Sequence, residues 1–166
     1  MNILIIFLII VINFILQSTI LSYASIFGIL PNTSLIIIVT IALLKGKKTG
    51  SITGLLVGLL QDIMFSPVIG VNGFIYFFIG YFVGMSEGKL SKDNMLIPFI
   101  MTAGTTIAYH LFHCLFMFFL AHNIDFSAFF KKVVFFEMIY NSLLSILFYR
   151  WFSKIFIIPS IRFGRK

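Results

Sequence analysis

Long apolar runs, separated only by short polar or basic stretches, constrain this 166-residue chain more than any other feature. A membrane-spanning helix needs about 20 apolar residues, because each residue adds about 1.5 Å across a bilayer core about 30 Å thick. Of all residues, 60% are apolar and 10% are charged, whereas an average soluble domain has about 25% charged residues. So few charges cannot supply the polar shell of a water-soluble domain. We therefore expect an all-α, polytopic membrane protein.

Six segments of the chain reach or approach the length of a membrane span. The third and fourth are short and nearly adjacent, which predicts a tight helical hairpin shaped by Pro67, Gly70 and Gly73. One of these two segments could instead be re-entrant. The whole chain, 1–166, is then a single transmembrane domain, because no loop is long enough to form a soluble one. The predicted spans cover residues 3–22, 30–44, 50–66, 68–84, 95–121 and 133–158.

The first apolar run could be mistaken for a signal peptide, because Ser22-Tyr23-Ala24 loosely resembles a cleavage site. However, no positive residue precedes the run, and from Ile3 to Leu21 it is longer than the apolar part of a signal peptide. We therefore predict that it is a retained first span.

The distribution of Lys and Arg predicts how the spans are oriented. Cytoplasmic loops of membrane proteins carry an excess of these residues. If the N-terminus is cytoplasmic, only Lys131 and Lys132 face outward, and both termini lie in the cytoplasm. Basic clusters between apolar runs favour anionic lipid headgroups as partners, and not nucleic acid. The cytoplasmic group is Lys45, Lys47, Lys48, Lys89, Lys92, Arg150, Lys154, Arg162, Arg165 and Lys166.

Glycines recur at every fourth position before and along the third predicted span, and again in the fourth. Residues four apart lie near one face of a helix. A face without side chains lets another backbone approach closely, which is how spans associate where lipid offers no hydrophobic drive. We predict that these faces pack against each other or bind a partner chain. The residues are Gly46, Gly50, Gly54, Gly58, Gly80 and Gly84.

Asp62 continues the glycine spacing and is the only carboxylate well inside the first four apolar segments. A charge at the bilayer centre costs at least about 2.5–3.5 kcal/mol. The cost is smaller near an interface, and Asp62 is close to the Pro67 turn. We predict that Gln61, Asp62 and Asn72 form an intramembrane polar knot that holds the hairpin together. The alternative is that these residues form a functional site.

Three further pairs of polar residues share a helical face within other apolar segments. The pairs are Asn13 with Gln17, His110 with His113, and Glu137 with Asn141. For the first two pairs we predict interhelical hydrogen bonds. The two histidines could instead bind a metal, but no carboxylate lies nearby on their helix and the HExxH zinc pattern is absent. We therefore predict no metal site and no cofactor.

Sequence signatures of catalysis are absent from the chain. There is no GxSxG nucleophile motif, no phosphate-binding loop and no glycine-rich dinucleotide fingerprint. The five acidic residues are scattered along the chain rather than grouped. We predict that the protein is not an enzyme and has no catalytic residues.

A set of short motifs between residues 16 and 85 carries a family resemblance. The motifs are Leu16-Gln17-Ser18-Thr19, Pro31-Asn32, Ile41-Ala42-Leu43-Leu44-Lys45-Gly46, the glycines 50, 54 and 58 followed by Gln61-Asp62, Gly70-Val71-Asn72-Gly73, and Gly80-Tyr81. As a set they resemble the bacterial rod shape-determining protein MreD family, and the chain is similar to that family over its whole length in the layout of spans.

The resemblance implies a non-enzymatic scaffold in the bacterial cytoplasmic membrane that contributes to rod shape and lateral peptidoglycan synthesis. It implies association with the bitopic protein MreC, with the actin-like MreB and with the other proteins of the elongation complex. The family fold resembles the substrate-binding component of energy-coupling-factor vitamin transporters, which has six helices.

The same fold resemblance leaves a second function open, that of a small-molecule (vitamin-type) uptake component of a membrane transporter. Such components commonly dock their energising subunit through an Ala-x-x-x-Ala face on the first span. Residues 3–22 contain no alanine, which counts against this alternative.

Overall fold

The computed structural model describes residues 2–19, 30–88, 94–120 and 134–156. The chain within these ranges is helical, which confirms the predicted all-α class. Helix α1 spans Asn2–Ser18, α2 spans Thr33–Phe65, α3 spans Val71–Gly84, α4 spans Leu96–Phe119 and α5 spans Phe135–Phe156.

Helix α2 folds back on itself at Gly46, whose backbone has φ 81° and ψ −178°. Glycine adopts this conformation freely, whereas a residue with a Cβ would be strained there. A Cβ built on Gly50 would lie 2.6 Å from the Cβ of Ala42. A straight helix would separate these two residues by about 12 Å. The helix therefore consists of two arms packed against each other, which we call the central arm (residues 33–45) and the glycine arm (residues 47–65).

The two arms overlap the second and third predicted segments in sequence, and the other four helices overlap the remaining predicted segments. Helix α1 ends at Ser18 and α3 begins only at Val71. The later start of α3 follows from Gly70, which has a left-handed conformation with φ 104° and so interrupts the helix.

Several sequence-based predictions concern residues outside the described ranges. They are the possible cleavage site Ser22-Tyr23-Ala24 and the basic residues Lys89, Lys92, Lys131, Lys132, Arg162, Arg165 and Lys166.

The central arm lies in the middle of the bundle. Every residue from Thr33 to Leu44 is buried, as expected for a helix that is apolar on all sides and enclosed by other helices. Helices α1, α3, α4 and α5 all contact α2. The core of the molecule is therefore organised around this one short arm.

The outside of the bundle is apolar, while fully buried positions include polar side chains. Large apolar side chains that are more than a third exposed occur on all five helices. Examples, one from each helix, are Phe7, Leu56, Phe82, Leu111 and Leu147. By contrast, Asp62, Thr102 and Asn141 have no exposed surface. This arrangement is the reverse of that in water-soluble proteins, and it suits a chain surrounded by lipid.

Among the described residues, one helix, Leu96–Phe119, is both long and apolar enough to cross a membrane. The apolar helices Ile3–Ser18 and Val71–Gly84 are shorter than the 18 residues that this criterion requires.

Close contacts bring several basic residues to one end of the bundle, which we call the basic end. Lys45 Nζ donates to the carbonyl oxygen of Phe156, the last residue of α5, at 3.4 Å. The end of α3 also lies there, since a Cβ on Gly84 would be 2.5 Å from the Cα of Lys47. Because the chain passes along the glycine arm and returns along α3, the Asp62–Gly70 turn lies at the opposite end, which we call the polar end.

Candidate functional site

The glycine arm and α3 pack with their backbones in contact along the middle of both helices. A Cβ on Gly54 would overlap the carbonyl oxygen of Tyr76, and a Cβ on Gly58 would lie 2.5 Å from the Cα of Gly73. Neither carbonyl nor Cα atoms can rotate away as a side chain would. The two helices can therefore be this close only because these positions lack side chains.

The same interface continues toward the basic end. A Cβ on Gly50 would be 2.7 Å from the carbonyl oxygen of Gly80, and a Cβ on Gly80 would in turn overlap the backbone of Gly50. Beyond them, Gly84 contacts the backbone of Lys47 and of Gly46. The structure thus brings all six glycines predicted for packing or partner binding, including Gly46 at the bend, into one contact between α2 and α3, which we call the glycine interface.

Asp62 lies one turn beyond Gly58, at the polar end of the glycine interface, and has no exposed surface. Its carboxylate accepts the backbone N–H groups of Gly70 at 2.9 Å, Asn72 at 3.2 Å and Gly73 at 3.0 Å. The first amides of a helix have no partner inside the helix, and a negative charge is favourable beside them. Asp62 therefore caps α3 from the preceding helix, in place of Gly70, which has no side chain.

The three residues predicted for the polar knot are not all together. Asn72 contacts Asp62 through its backbone N–H, whereas Gln61 lines a small cavity beside Asn13 and Ser34, between α1 and the glycine arm. Among the described residues, the buried Oε1 of Gln61 has no hydrogen-bond partner. The knot in the structure is therefore formed by Asp62 and the first turn of α3.

Helix α1 is attached to the central arm by a smaller set of polar contacts. Asn13 Nδ2 donates to Ser34 Oγ at 3.1 Å, and Ser34 Oγ donates to Gln17 Oε1 at 2.9 Å. This confirms the interhelical hydrogen bonds predicted for Asn13 and Gln17.

A chain of buried hydrogen bonds extends from Asn72 into the bundle. The Tyr109 hydroxyl donates to Asn72 Oδ1 at 2.8 Å, and the rings of Tyr109 and Tyr76 are 5.2 Å apart. The Tyr76 hydroxyl lies 2.9 Å from the side-chain nitrogen of Asn32. Asn32 also caps the central arm by accepting the N–H of Leu35 at 3.0 Å. These contacts join α2, α3 and α4.

Asn141 connects this chain of hydrogen bonds to α5. Its Oδ1 accepts the backbone N–H of Asn32 at 2.9 Å, and its Nδ2 donates to Thr106 Oγ1 and to Glu137 Oε1, each at 3.3 Å. The other carboxylate oxygen of Glu137 lies 2.9 Å from His110 Nε2. The interhelical hydrogen bond predicted for His110 is therefore present, and Glu137 and Asn141, which share a helical face, belong to the same set of contacts. We call the set from Asn72 to His110 the polar network.

His113, the second histidine of the predicted pair, packs against Tyr109, with ring centroids 5.6 Å apart. In the described part of the chain, no three His, Cys, Asp or Glu side chains come together in a way that could hold a metal ion.

Replacing Asn141 by alanine is expected to lower the free energy of unfolding by about 2 kcal/mol, since it removes three hydrogen bonds worth about 0.6 kcal/mol each in membrane bundles. Thermal unfolding of the purified protein in detergent measures the change. Ser142→Ala is the matched control, because Ser142 is equally buried on the same helix, and among the described residues its hydroxyl donates to the Met138 carbonyl within that helix. Equal destabilisation by the two substitutions would contradict the role assigned to Asn141.

Four members of the polar network were not identified from the sequence as site residues: Asn32, Tyr76, Thr106 and Tyr109. Both tyrosines lie in segments rich in Phe and so look like apolar filler. Their hydroxyl groups could have indicated membership of a hydrogen-bond network, because a buried tyrosine usually finds a hydrogen-bond partner. The sequence does not show which partner that is.

Comparison with known proteins gives one match. The family described as rod shape-determining protein MreD matches residues 1–157 of the chain. No curated protein and no solved structure matches it. The matched range includes all five helices and confirms the resemblance drawn from the motifs between residues 16 and 85.

Proposed function

Because the chain belongs to the MreD family of rod shape-determining membrane proteins, we propose that it is a scaffold of the bacterial cell-elongation machinery. It acts in the cytoplasmic membrane without catalysing a reaction. It contributes to rod shape and lateral peptidoglycan synthesis by associating with an MreC-type bitopic protein and with other proteins of the elongation complex.

The scaffold role is best supported by the buried polar groups, because they hold the helices together. Asp62 caps α3, and Asn141 joins α5 to α2 and α4. Groups that serve chemistry or bind a polar substrate would instead converge on a cavity. Two grooves on the described surface, of about 320 and 350 Å³, are lined mainly by apolar side chains. A rigid bundle with an apolar exterior is suited to presenting helix faces to other membrane proteins.

We further propose that the chain crosses the membrane six times, with both termini in the cytoplasm and a layout like that of the vitamin-binding components. Two features support six crossings. The two arms of α2 and the other four helices give six segments, and the contacts of Lys45 and Gly84 place the Gly46 bend, the end of α3 and the end of α5 together. The excess of Lys and Arg favours a cytoplasmic basic end.

Cysteine labelling tests this orientation. In a Cys114→Ala background, Ile69→Cys at the polar end is expected to react with a membrane-impermeant maleimide in intact spheroplasts. Glu87→Cys, which is exposed at the basic end, is expected to react only after the membrane is permeabilised. Labelling of both positions from the same side would contradict the proposed topology.

Conditional depletion of the protein in the cell that encodes it tests the function. Rods are expected to widen and become round, and a plasmid copy of the wild-type gene should restore them. Uptake of vitamins is measured in the same cultures as the control for the transporter alternative. Unchanged cell shape together with lost uptake would contradict the scaffold role.

A further inference from the structure

A groove of about 320 Å³ lies between α1 and the glycine arm on the outside of the bundle. Its lining is apolar along most of its length. Ile6 and Ile10 in the lining are buried, whereas Phe7 and Ile52 are more than half exposed. The shape and the apolar walls suit a flexible hydrocarbon chain.

The groove narrows from the basic end toward the polar end. Farther along the same two helices, the space between them falls to about 10 Å³ beside Asn13 and Gln61. There the rings of Phe14 and Phe65 pack with centroids 5.9 Å apart. The groove is therefore a wedge that is closed by packing at one end and open at the other.

The open end of the wedge carries a positive charge. Lys48 and Thr49 belong to the lining there, and among the described residues Lys48 forms no ion pair with a carboxylate. The neighbouring Lys47 is directed to another helix, because its Nζ lies 5.9 Å from the ring centroid of Tyr81. Of these two adjacent lysines, only Lys48 therefore lines the wedge.

A second groove on the same molecule lacks the basic residue that the wedge has. It lies between α3 and α4, has a volume of about 350 Å³ and contains no basic residue in its lining. It could accept the hydrocarbon chain of any lipid without selecting a headgroup. The wedge combines a similar apolar volume with a cation at one end.

We propose that the wedge is a binding site for one anionic phospholipid, with a hydrocarbon chain along Ile6, Ile10 and Ile52 and the headgroup phosphate at Lys48 and Thr49. Basic pockets between membrane helices recognise anionic headgroups through this combination. The site is independent of the scaffold role, since lipid binding requires only that the chain lies in a membrane.

Native mass spectrometry tests the site by measuring lipid binding. The full-length protein is released from detergent and titrated with phosphatidylglycerol or phosphatidylcholine. The wild type is expected to bind phosphatidylglycerol more tightly. Lys48→Gln is expected to weaken phosphatidylglycerol binding about fivefold, the change that one lysine near an anionic surface produces. Lys47→Gln is the matched control and should stay within about twofold of the wild type. Equal losses in the two variants, or no headgroup preference in the wild type, would overturn the proposal.

A second pair of variants tests the apolar part of the wedge. Ile52→Trp fills the groove and is expected to reduce phosphatidylglycerol binding, whereas Leu55→Trp, on the same helix but outside the lining, is not. Unchanged binding by Ile52→Trp would overturn the proposal. So would efficient disulfide crosslinking of two chains through Ile52→Cys in a Cys114→Ala background, because the wedge would then hold a second copy.

Discussion

Alanine in place of Gly54 is expected to push the glycine arm away from α3 and to lower the free energy of unfolding by about 3 kcal/mol, at the upper end of typical overpacking costs. The added Cβ overlaps the carbonyl oxygen of Tyr76. Because that atom belongs to the backbone of α3, the overlap can be relieved only by moving a helix. Such a movement also shifts the first turn of α3, which Asp62 caps. Thermal or denaturant unfolding in detergent measures the loss.

Gly104→Ala is the matched control for this prediction. Gly104 also lies inside a helix, α4, but a Cβ added there meets no atom within 4 Å. Alanine is favoured over glycine in a helix interior by about 1 kcal/mol, so this variant should be neutral or slightly more stable. The difference between the free energies of unfolding of the two variants gives the cost of the close contact. A Gly54→Ala protein as stable as Gly104→Ala would show that the glycine interface does not form as described.

Leucine at Gly54 or Gly58 should have still larger effects than alanine, because a whole side chain would have to fit between two backbones in contact. We expect neither variant to restore rod shape in depleted cells. Normal shape with normally folded Gly54→Leu and Gly58→Leu proteins would contradict any role of these glycines in packing or in partner binding.

Replacing Asp62 by alanine is expected to lower the free energy of unfolding by an amount comparable to that of Gly54→Ala. Three backbone N–H groups at the start of α3 would lose their acceptor, and two of them, those of Asn72 and Gly73, are buried. A buried polar group left without a partner costs about 1–3 kcal/mol, so the expected loss in the free energy of unfolding is roughly 3–5 kcal/mol. The loss is measured as for Gly54→Ala, by unfolding in detergent.

Asparagine at position 62 should give an intermediate result. The carboxylate uses one oxygen for Gly70 and Gly73 and the other for Asn72. The amide of asparagine has one oxygen and a nitrogen that only donates, so it can keep two of the three hydrogen bonds. We expect Asp62→Asn to retain the fold with about half of the loss seen for alanine.

Glu87→Ala is the control for removal of an acidic side chain, because Glu87 is exposed at the basic end and exposed substitutions usually change stability by less than about 0.5 kcal/mol. Asp62→Ala and Glu87→Ala proteins of equal stability would contradict the capping role of Asp62.

Much of the local architecture could be read from the sequence. The lengths of the apolar runs predicted helices at the positions where α1 to α5 are found, and the Lys-Gly-Lys-Lys stretch separated two segments where the chain bends at Gly46. The spacing of the glycines predicted two faces free of side chains. These features are local, because they depend on neighbours within one or two turns of a helix.

The partners of each face were decided by the tertiary structure. Asp62 and Gln61 are adjacent in the sequence, yet Asp62 caps α3 while Gln61 lies beside α1, because adjacent residues point about 100° apart on a helix. Asn32 and Asn141 meet although 109 residues separate them.

The sequence alone therefore determined that the chain is helical, apolar on its outside and lined with glycine along two faces. Only the tertiary structure decided that these two faces meet each other and that the buried polar groups connect through Asn141. The physical reason is that an isolated polar residue in an apolar helix needs some partner, and any of several helices could supply one until packing selects it.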